Sequence, residues 1–249
     1  MKTIRRATEP EVIAEFLRNE FYREEFHRDR KNFEHLVLQA DTTNETANAL
    51  RRALLFRRRG HMWRELPADT QWWEVEVEPN DLHLLRVFPR AQWRHVSAGS
   101  FLLRDIAERI SNARFHGNTR EFISKVQALS YHLRNNDDRS CVLLIGIDLN
   151  HPVTILEGNH RLAAALLAGS DVFRSRFRVL CGFSPNMNKS CWYETNFSNL
   201  WRYARNRLRH LFYDKDADIA RVLNEALGRA LPVEAQVQEQ QVASSKRVA

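Results

Sequence analysis

Glu157, Gly158, Asn159, His160 and Arg161 stand in succession, and each residue type has a use at a phosphate. Glycine lets a backbone turn with positive φ and approach a ligand closely. Arginine's planar fork grips a phosphate through two parallel hydrogen bonds. Before these residues runs Pro152-Val153-Thr154-Ile155-Leu156, apolar and β-branched; after them comes Leu162-Ala163-Ala164-Ala165-Leu166-Leu167, a helix former. Strand, glycine turn and helix start leave unpaired N–H groups at the positive end of a helix dipole, which favours an anion. Taken singly, each residue has an ordinary alternative. Gly158 would serve a turn, Asn159 a helix cap, His160 the surface, and Arg161 an ion pair with Glu157. Together, in this setting, they predict a phosphate-binding turn.

The flanking chain supplies the elements that must hold that turn. Cys141-Val142-Leu143-Leu144-Ile145-Gly146-Ile147 is a continuous apolar run suited to a strand buried on both faces. Trp72 to Val77 alternates apolar and acidic residues as a strand does, Leu84 to Phe88 is a second short strand, and Phe177 to Gly182 another. Ser100 is placed to cap a helix over residues 101–110. Asn118-Thr119-Arg120-Glu121 fits a capping box opening a helix with Phe122, Val126, Leu129 and Leu133 on one face. The motif helix is expected to end near Gly169.

On this reading residues 1–70 form a helical N-terminal region, 71–185 the core, 186–230 a loop and basic C-terminal helix, and 231–249 a disordered tail. Ile13, Phe16, Leu17 and Phe21 recur at helical spacing, and a helix over Ala47 to Phe56 is expected to end in the solvated run Arg57-Arg58-Arg59. In the C-terminal helix Phe197, Leu200, Trp201, Ala204, Leu208 and Leu211 are expected to face inward, leaving Arg202, Arg205 and Arg209 on the other side.

The formal net charge of +7 suits anionic partners, from nucleotides to nucleic acid. Cys141, Cys181 and Cys191 are too few and too scattered for a zinc site or a disulfide framework. No apolar stretch reaches spanning length and the first residues carry no apolar leader, so a cytoplasmic protein without a membrane partner is expected. Walker A, Gly-x-Gly-x-x-Gly, His-Glu-x-x-His and Gly-x-Ser-x-Gly sequences are all absent. The aromatic loop Cys191-Trp192-Tyr193-Glu194 is a candidate substrate lip, or equally a packing element; the turn Trp93-Arg94-His95 carries the same two readings. Asp105, Glu108 and Glu121 lie on upstream helices, but no catalytic base is assigned among them.

The motif Pro152-Val153-Thr154-Ile155-Leu156-Glu157-Gly158-Asn159-His160-Arg161, with Ala163 to Ala165 and Gly169 after it, resembles the ParB/sulfiredoxin-like fold over roughly residues 72–185. That family's pattern runs Pro-Ile-x-Val-x-Asp-Gly-x-His-Arg into an Ala-rich helix. The resemblance implies an α+β protein with a mixed-sheet core, flanked here by a helical N-terminal region and a C-terminal helix. It also implies a site for ATP or ADP, or for CTP as in the partition proteins, together with Mg²⁺. By position, Gly158, Asn159, His160 and Arg161 would contact phosphates; Glu157 would hold Mg²⁺ or a hydroxyl substrate; Glu157 and His160 are the candidate catalytic groups. Glu157 stands where Asp is usual, and Asn159 stands where sulfiredoxins need a nucleophilic cysteine, which removes sulfiredoxin chemistry. The Gly-Asn-His-Arg form sits nearer the free-serine kinases than the Gly-Glu-Arg-Arg form of partition proteins. The implied activity is a phosphotransferase (kinase) or NTPase acting on a small hydroxylated molecule. A ParB-like DNA-binding module, contacting phosphates through Arg202, Arg205, Arg207 and Arg209, is the alternative. A Fic-like nucleotidyl transferase built on His151-Pro152 is a minor one, and an inactive interaction scaffold remains open.

Overall fold

The apolar run at Cys141 lies at the heart of a six-stranded mixed sheet. In the computed structural model, which describes residues 1–89, 91–137, 139–209 and 214–230, it forms β4 (Ser140–Gly146), with every residue from Cys141 onward buried. β4 runs parallel to β6 (Phe177–Phe183) and antiparallel to the motif strand β5 (Val153–Glu157). β2 (Gln71–Glu76) flanks β6, and β3 (Leu85–Val87) flanks β5 in parallel. A strand that the sequence did not lead us to expect, β1 (Lys2–Arg6), pairs with β2 and completes the order β1-β2-β6-β4-β5-β3.

Successive residues of a strand face opposite sides, so β4 supplies two cores. Cys141, Leu143 and Ile145 meet α1 (Glu9–Glu20), α3 (Glu45–Trp63) and α10 (Ile219–Ala230) through Phe16, Leu17, Leu54 and Val222. Val142 and Leu144 meet α5 (Leu103–Asn112), α6 (Gly117–Asn135) and α7 (Asn159–Ala168) through Ile106, Val126 and Ala164. Also present are α2 (His27–Leu38) and two short helices, α4 (Ala91–Ser97) and α8 (Ser170–Ser175). The protein is therefore α+β, with helices on both faces of a mixed sheet.

Several local expectations change in the folded chain. The Arg57-Arg58-Arg59 run is not a solvated helix end, because α3 continues to Trp63. Arg58 pairs with buried Asp29 at 2.6 Å and Arg59 with buried Glu20 at 2.9 Å. α6 begins at Gly117 after His116, with no side-chain cap, so the capping box at Asn118 does not form. Ser100 accepts from the Leu102 N–H at 3.3 Å, ahead of a helix that starts only at Leu103. The last predicted helix, α9 (Phe197–Arg209), presents the opposite face: Asn199 and Asn206 are buried, while Phe197, Leu200, Trp201 and Leu208 are exposed. Leu211 and the tail 231–249 lie outside the described residues.

α1 and the β1 edge are tied to the sheet by charge. Glu11 is bonded by Arg5 and by Arg178, and Arg178 also reaches Glu74 at 2.9 Å. The hydrogen bond from Arg5 is the main reason the Glu11 carboxyl is lowered to about 2. A depressed folded pKa gives stability that is present above the ordinary carboxylate range and is lost as pH falls. Acidification from neutral pH toward about 2 should therefore remove about 1–2 kcal/mol of stability through this group, after solvent screening. In Glu11→Gln that part of the loss should vanish from urea-unfolding curves recorded across the acid range. An unchanged acid profile would show that the cluster contributes nothing.

Candidate functional site

β5 ends at Glu157, and the chain turns through Gly158 at φ +102° into α7. A Cβ at position 158 would sit 2.6 Å from Val142 Cγ1, so the turn presses against β4 too closely for any side chain. The first bond of the helix runs from the Leu162 N–H to the Gly158 carbonyl at 2.9 Å. The N–H groups of Asn159, His160 and Arg161 thus precede any acceptor within their own helix. Asn159 is the first helical residue rather than the cap. Its Nδ2 donates to the Ile155 carbonyl at 3.4 Å, and its buried Oδ1 has no hydrogen-bond partner among the described residues.

This turn forms one wall of a cavity of about 740 Å³. Next to it the N-terminal region contributes Asn19 and Glu20 at the end of α1, Arg23 just after it, and Arg59 of α3. Trp93 and Arg94 of α4 contribute one side, and Trp192, Tyr203 and Arg207 another. Five arginines (Arg23, Arg59, Arg94, Arg161, Arg207) line the cavity against three glutamates (Glu20, Glu25, Glu157). Such an excess of guanidinium groups favours an anion inside the cavity.

A chain of ion pairs crosses the cavity floor. Arg161 pairs with Glu157 and donates to Asn19 Oδ1 at 3.1 Å; Asn19 Nδ2 in turn donates to Glu157 Oε2 at 2.9 Å and to the Cys141 carbonyl at 2.8 Å. Beyond it, Glu20 holds Arg23 at 2.7 Å and Arg59 at 2.9 Å, and Arg59 reaches Glu25 at 3.0 Å. Burial raises the Glu157 carboxyl above its ordinary range; the charge of Arg161 opposes that shift and the charge of Glu20 adds to it. A carboxylate with raised proton affinity is of the type that accepts a proton from a hydroxyl.

All five motif residues, Glu157 to Arg161, reach the cavity. Arg161 is turned onto Glu157 and Asn19 in this arrangement rather than toward open space. The exposed His160 packs its ring against Trp93 and Phe122, with centroids 5.3 and 5.2 Å apart. In the aromatic loop, Trp192 faces the cavity, buried between Phe88 at 4.8 Å and Tyr203 at 5.7 Å. Tyr193 instead donates to the Pro152 carbonyl at 2.8 Å. Asp105, Glu108 and Glu121 do not line the cavity. His151 pairs with Asp148 at 2.8 Å at the far end of β5, a strand's length from Gly158, and does not line the cavity either.

The largest omission of the sequence reading is Asn19, Glu20, Arg23 and Arg59. A signal for two of them exists. Glu20 continues the apolar spacing Ile13, Phe16, Leu17, and Arg59 continues the spacing from Leu55, so each charge sits on a buried helix face. A charge on such a face needs a partner, and here the two partners are each other.

Among the described residues no group of three or more His, Cys, Asp or Glu side chains could hold a metal by itself. Mg²⁺ in phosphate sites is commonly held by one or two carboxylates plus the phosphates, and Glu157 and Glu20 are the carboxylates beside the turn. Among the described residues, no helix is long and apolar enough to cross a membrane. Set against protein-family models, curated proteins and solved structures, the chain matches none of them.

Proposed function

We propose that this protein binds a nucleotide, ATP or ADP in the first place and CTP as the alternative base, in the cavity above the Gly158 turn. The reading takes the core as ParB/sulfiredoxin-like, and the protein as a cytoplasmic phosphotransferase or NTPase acting on a small hydroxylated molecule. One observation carries it: the first residues of α7, whose N–H groups precede any acceptor in the helix, and five arginines line the same cavity of about 740 Å³. A nucleotide bound with Mg²⁺ supplies the transferable phosphoryl group. The N–H groups of Asn159, His160 and Arg161 stabilise the charge that grows on the phosphoryl oxygens, the main term in such chemistry. Glu157 takes the proton of the acceptor hydroxyl or holds the metal, and His160 orients the acceptor from the α7 side. Trp93 and Trp192 line the same cavity and supply apolar surface beside the nucleotide.

The nucleic-acid alternative is less well supported by the geometry. Arg202 donates to the Lys189 carbonyl at 3.0 Å, and Arg207 reaches the Tyr203 hydroxyl at 3.1 Å and lines the cavity. Of that basic set, Arg205 and Arg209 are left on the outer surface.

Calorimetric titration with ATP, ADP and CTP in the presence of Mg²⁺ tests the reading. The wild type should bind at least one of them saturably. Arg161→Ala combined with Glu157→Gln, which leaves the net charge of the cavity unchanged, should weaken binding by roughly tenfold to a hundredfold through loss of charge-assisted hydrogen bonds. If the wild type binds none of the three, the nucleotide reading is wrong.

A further inference from the structure

α9 is amphipathic in the reverse sense. Its inward face is polar: Asn199 Nδ2 donates to the carbonyls of Asn188 and Glu194, both at 2.8 Å, and Asn206 Nδ2 donates to the buried carboxylate of Glu65 at 2.6 Å. These bonds fix the rotation of the helix about its axis. The apolar residues are thereby driven outward: Phe197 is 86% exposed, Trp201 69%, Leu208 58% and Leu200 48%. At about 100° per residue, positions 197, 200, 201, 204 and 208 fall in one stripe about 100° wide. Arg205 and Arg209 border the stripe on one side, and no acidic residue occurs between Phe197 and Arg209.

An exposed apolar stripe of this size marks a surface that is covered in use. Its occupant must accept large apolar groups along a line and offer negative charge beside it. A second copy of the chain does not fit, because pairing two such helices would set arginine against arginine with no carboxylate on either to neutralise them. A nucleic acid would use the arginines, and Trp201 or Phe197 could stack on a base, but Leu200 and Leu208 would remain in water. An anionic bilayer satisfies both halves: the stripe enters the acyl boundary, the indole sits at headgroup depth, and the guanidinium groups meet lipid phosphates. We propose that the outward face of α9 docks this protein on an anionic lipid surface, with the helix lying in the membrane plane. The expectation of no membrane partner rested on spanning length, which a helix lying flat does not need. The proposal does not depend on the nucleotide reading.

Flotation of the full chain with vesicles tests it. The wild type should float with phosphatidylcholine–phosphatidylserine vesicles, release as salt is raised, and stay behind with phosphatidylcholine alone. Trp201→Glu, at an exposed position that leaves Asn199 and Asn206 in place, should weaken the association roughly tenfold or more. Arg205→Glu with Arg209→Glu should do the same, with unchanged circular dichroism in each variant. Absence of wild-type binding to the anionic vesicles, or equal binding by Trp201→Glu, would overturn the proposal. So would self-association of the wild type that Trp201→Glu abolishes, or duplex binding in place of vesicle binding.

Discussion

Arg161→Ala should lower the unfolding free energy by about 3 kcal/mol, although the residue lies at the edge of a cavity. The reason is the partner left behind. Glu157 is buried, and after the substitution its carboxylate would keep the Asn19 amide at 2.9 Å and the more distant charge of Arg23 but no directly bonded cation among the described residues. An unpaired buried charge costs several times what an exposed one does. Glu157→Gln should then rescue the loss, since an amide in the same place needs no counter-charge. A double-mutant cycle on the two residues should give a coupling above about 1 kcal/mol. The pH dependence carries the same signature. Burial already raises Glu157, and removing the opposing charge of Arg161 raises it further. A raised folded pKa means stability that is kept at low pH and lost as pH rises. The penalty of Arg161→Ala should accordingly shrink as pH falls into the carboxylate range. Additive single effects in urea unfolding, with a penalty flat in pH, would show that the pair is held in water.

Gly158→Ala should cost about 2–4 kcal/mol, and both parts of the cost come from the turn that defines the site. At φ +102° an L residue is strained by about 1–2 kcal/mol. The added methyl would also stand 2.6 Å from Val142 Cγ1, a fully buried side chain on the central strand with no room to withdraw. Gly117→Ala separates the two parts. Gly117 also has positive φ, at +55°, but a Cβ there meets nothing within 4 Å, so only the smaller backbone part should appear. Thermal unfolding should place Gly158→Ala well below Gly117→Ala. Equal melting temperatures would mean that β4 yields to the methyl and that the close approach of turn to strand is not rigid. Nucleotide binding by any folded fraction of Gly158→Ala should fall as well, because the leading N–H groups of α7 would shift with the turn.

The residues of the turn were legible in the sequence because the signals are local. A short apolar, β-branched run over Val153 to Leu156 makes a strand, glycine permits the positive φ, and the alanines after Arg161 make a helix. The same holds for β4, whose continuous apolar run requires burial on both faces. β1 escaped notice because Lys2-Thr3-Ile4-Arg5-Arg6 carries little apolar alternation, and its pairing rests on bonds to β2 far along the chain.

The sequence by itself determined that residues 153–168 form a strand, a glycine turn and a helix with open N–H groups, since backbone conformation there depends on neighbours a few positions away. Only the tertiary structure decided what faces that turn. Asn19, Glu20 and Arg59 arrive from more than ninety residues upstream, because α1 and α3 pack on the face of β4 that carries Cys141. Only the tertiary structure, too, decided the orientation of α9. Periodicity identifies an apolar stripe but not its direction, and here hydrogen bonds from Asn199 to the preceding loop and from Asn206 to the distant Glu65 hold that stripe toward the outside.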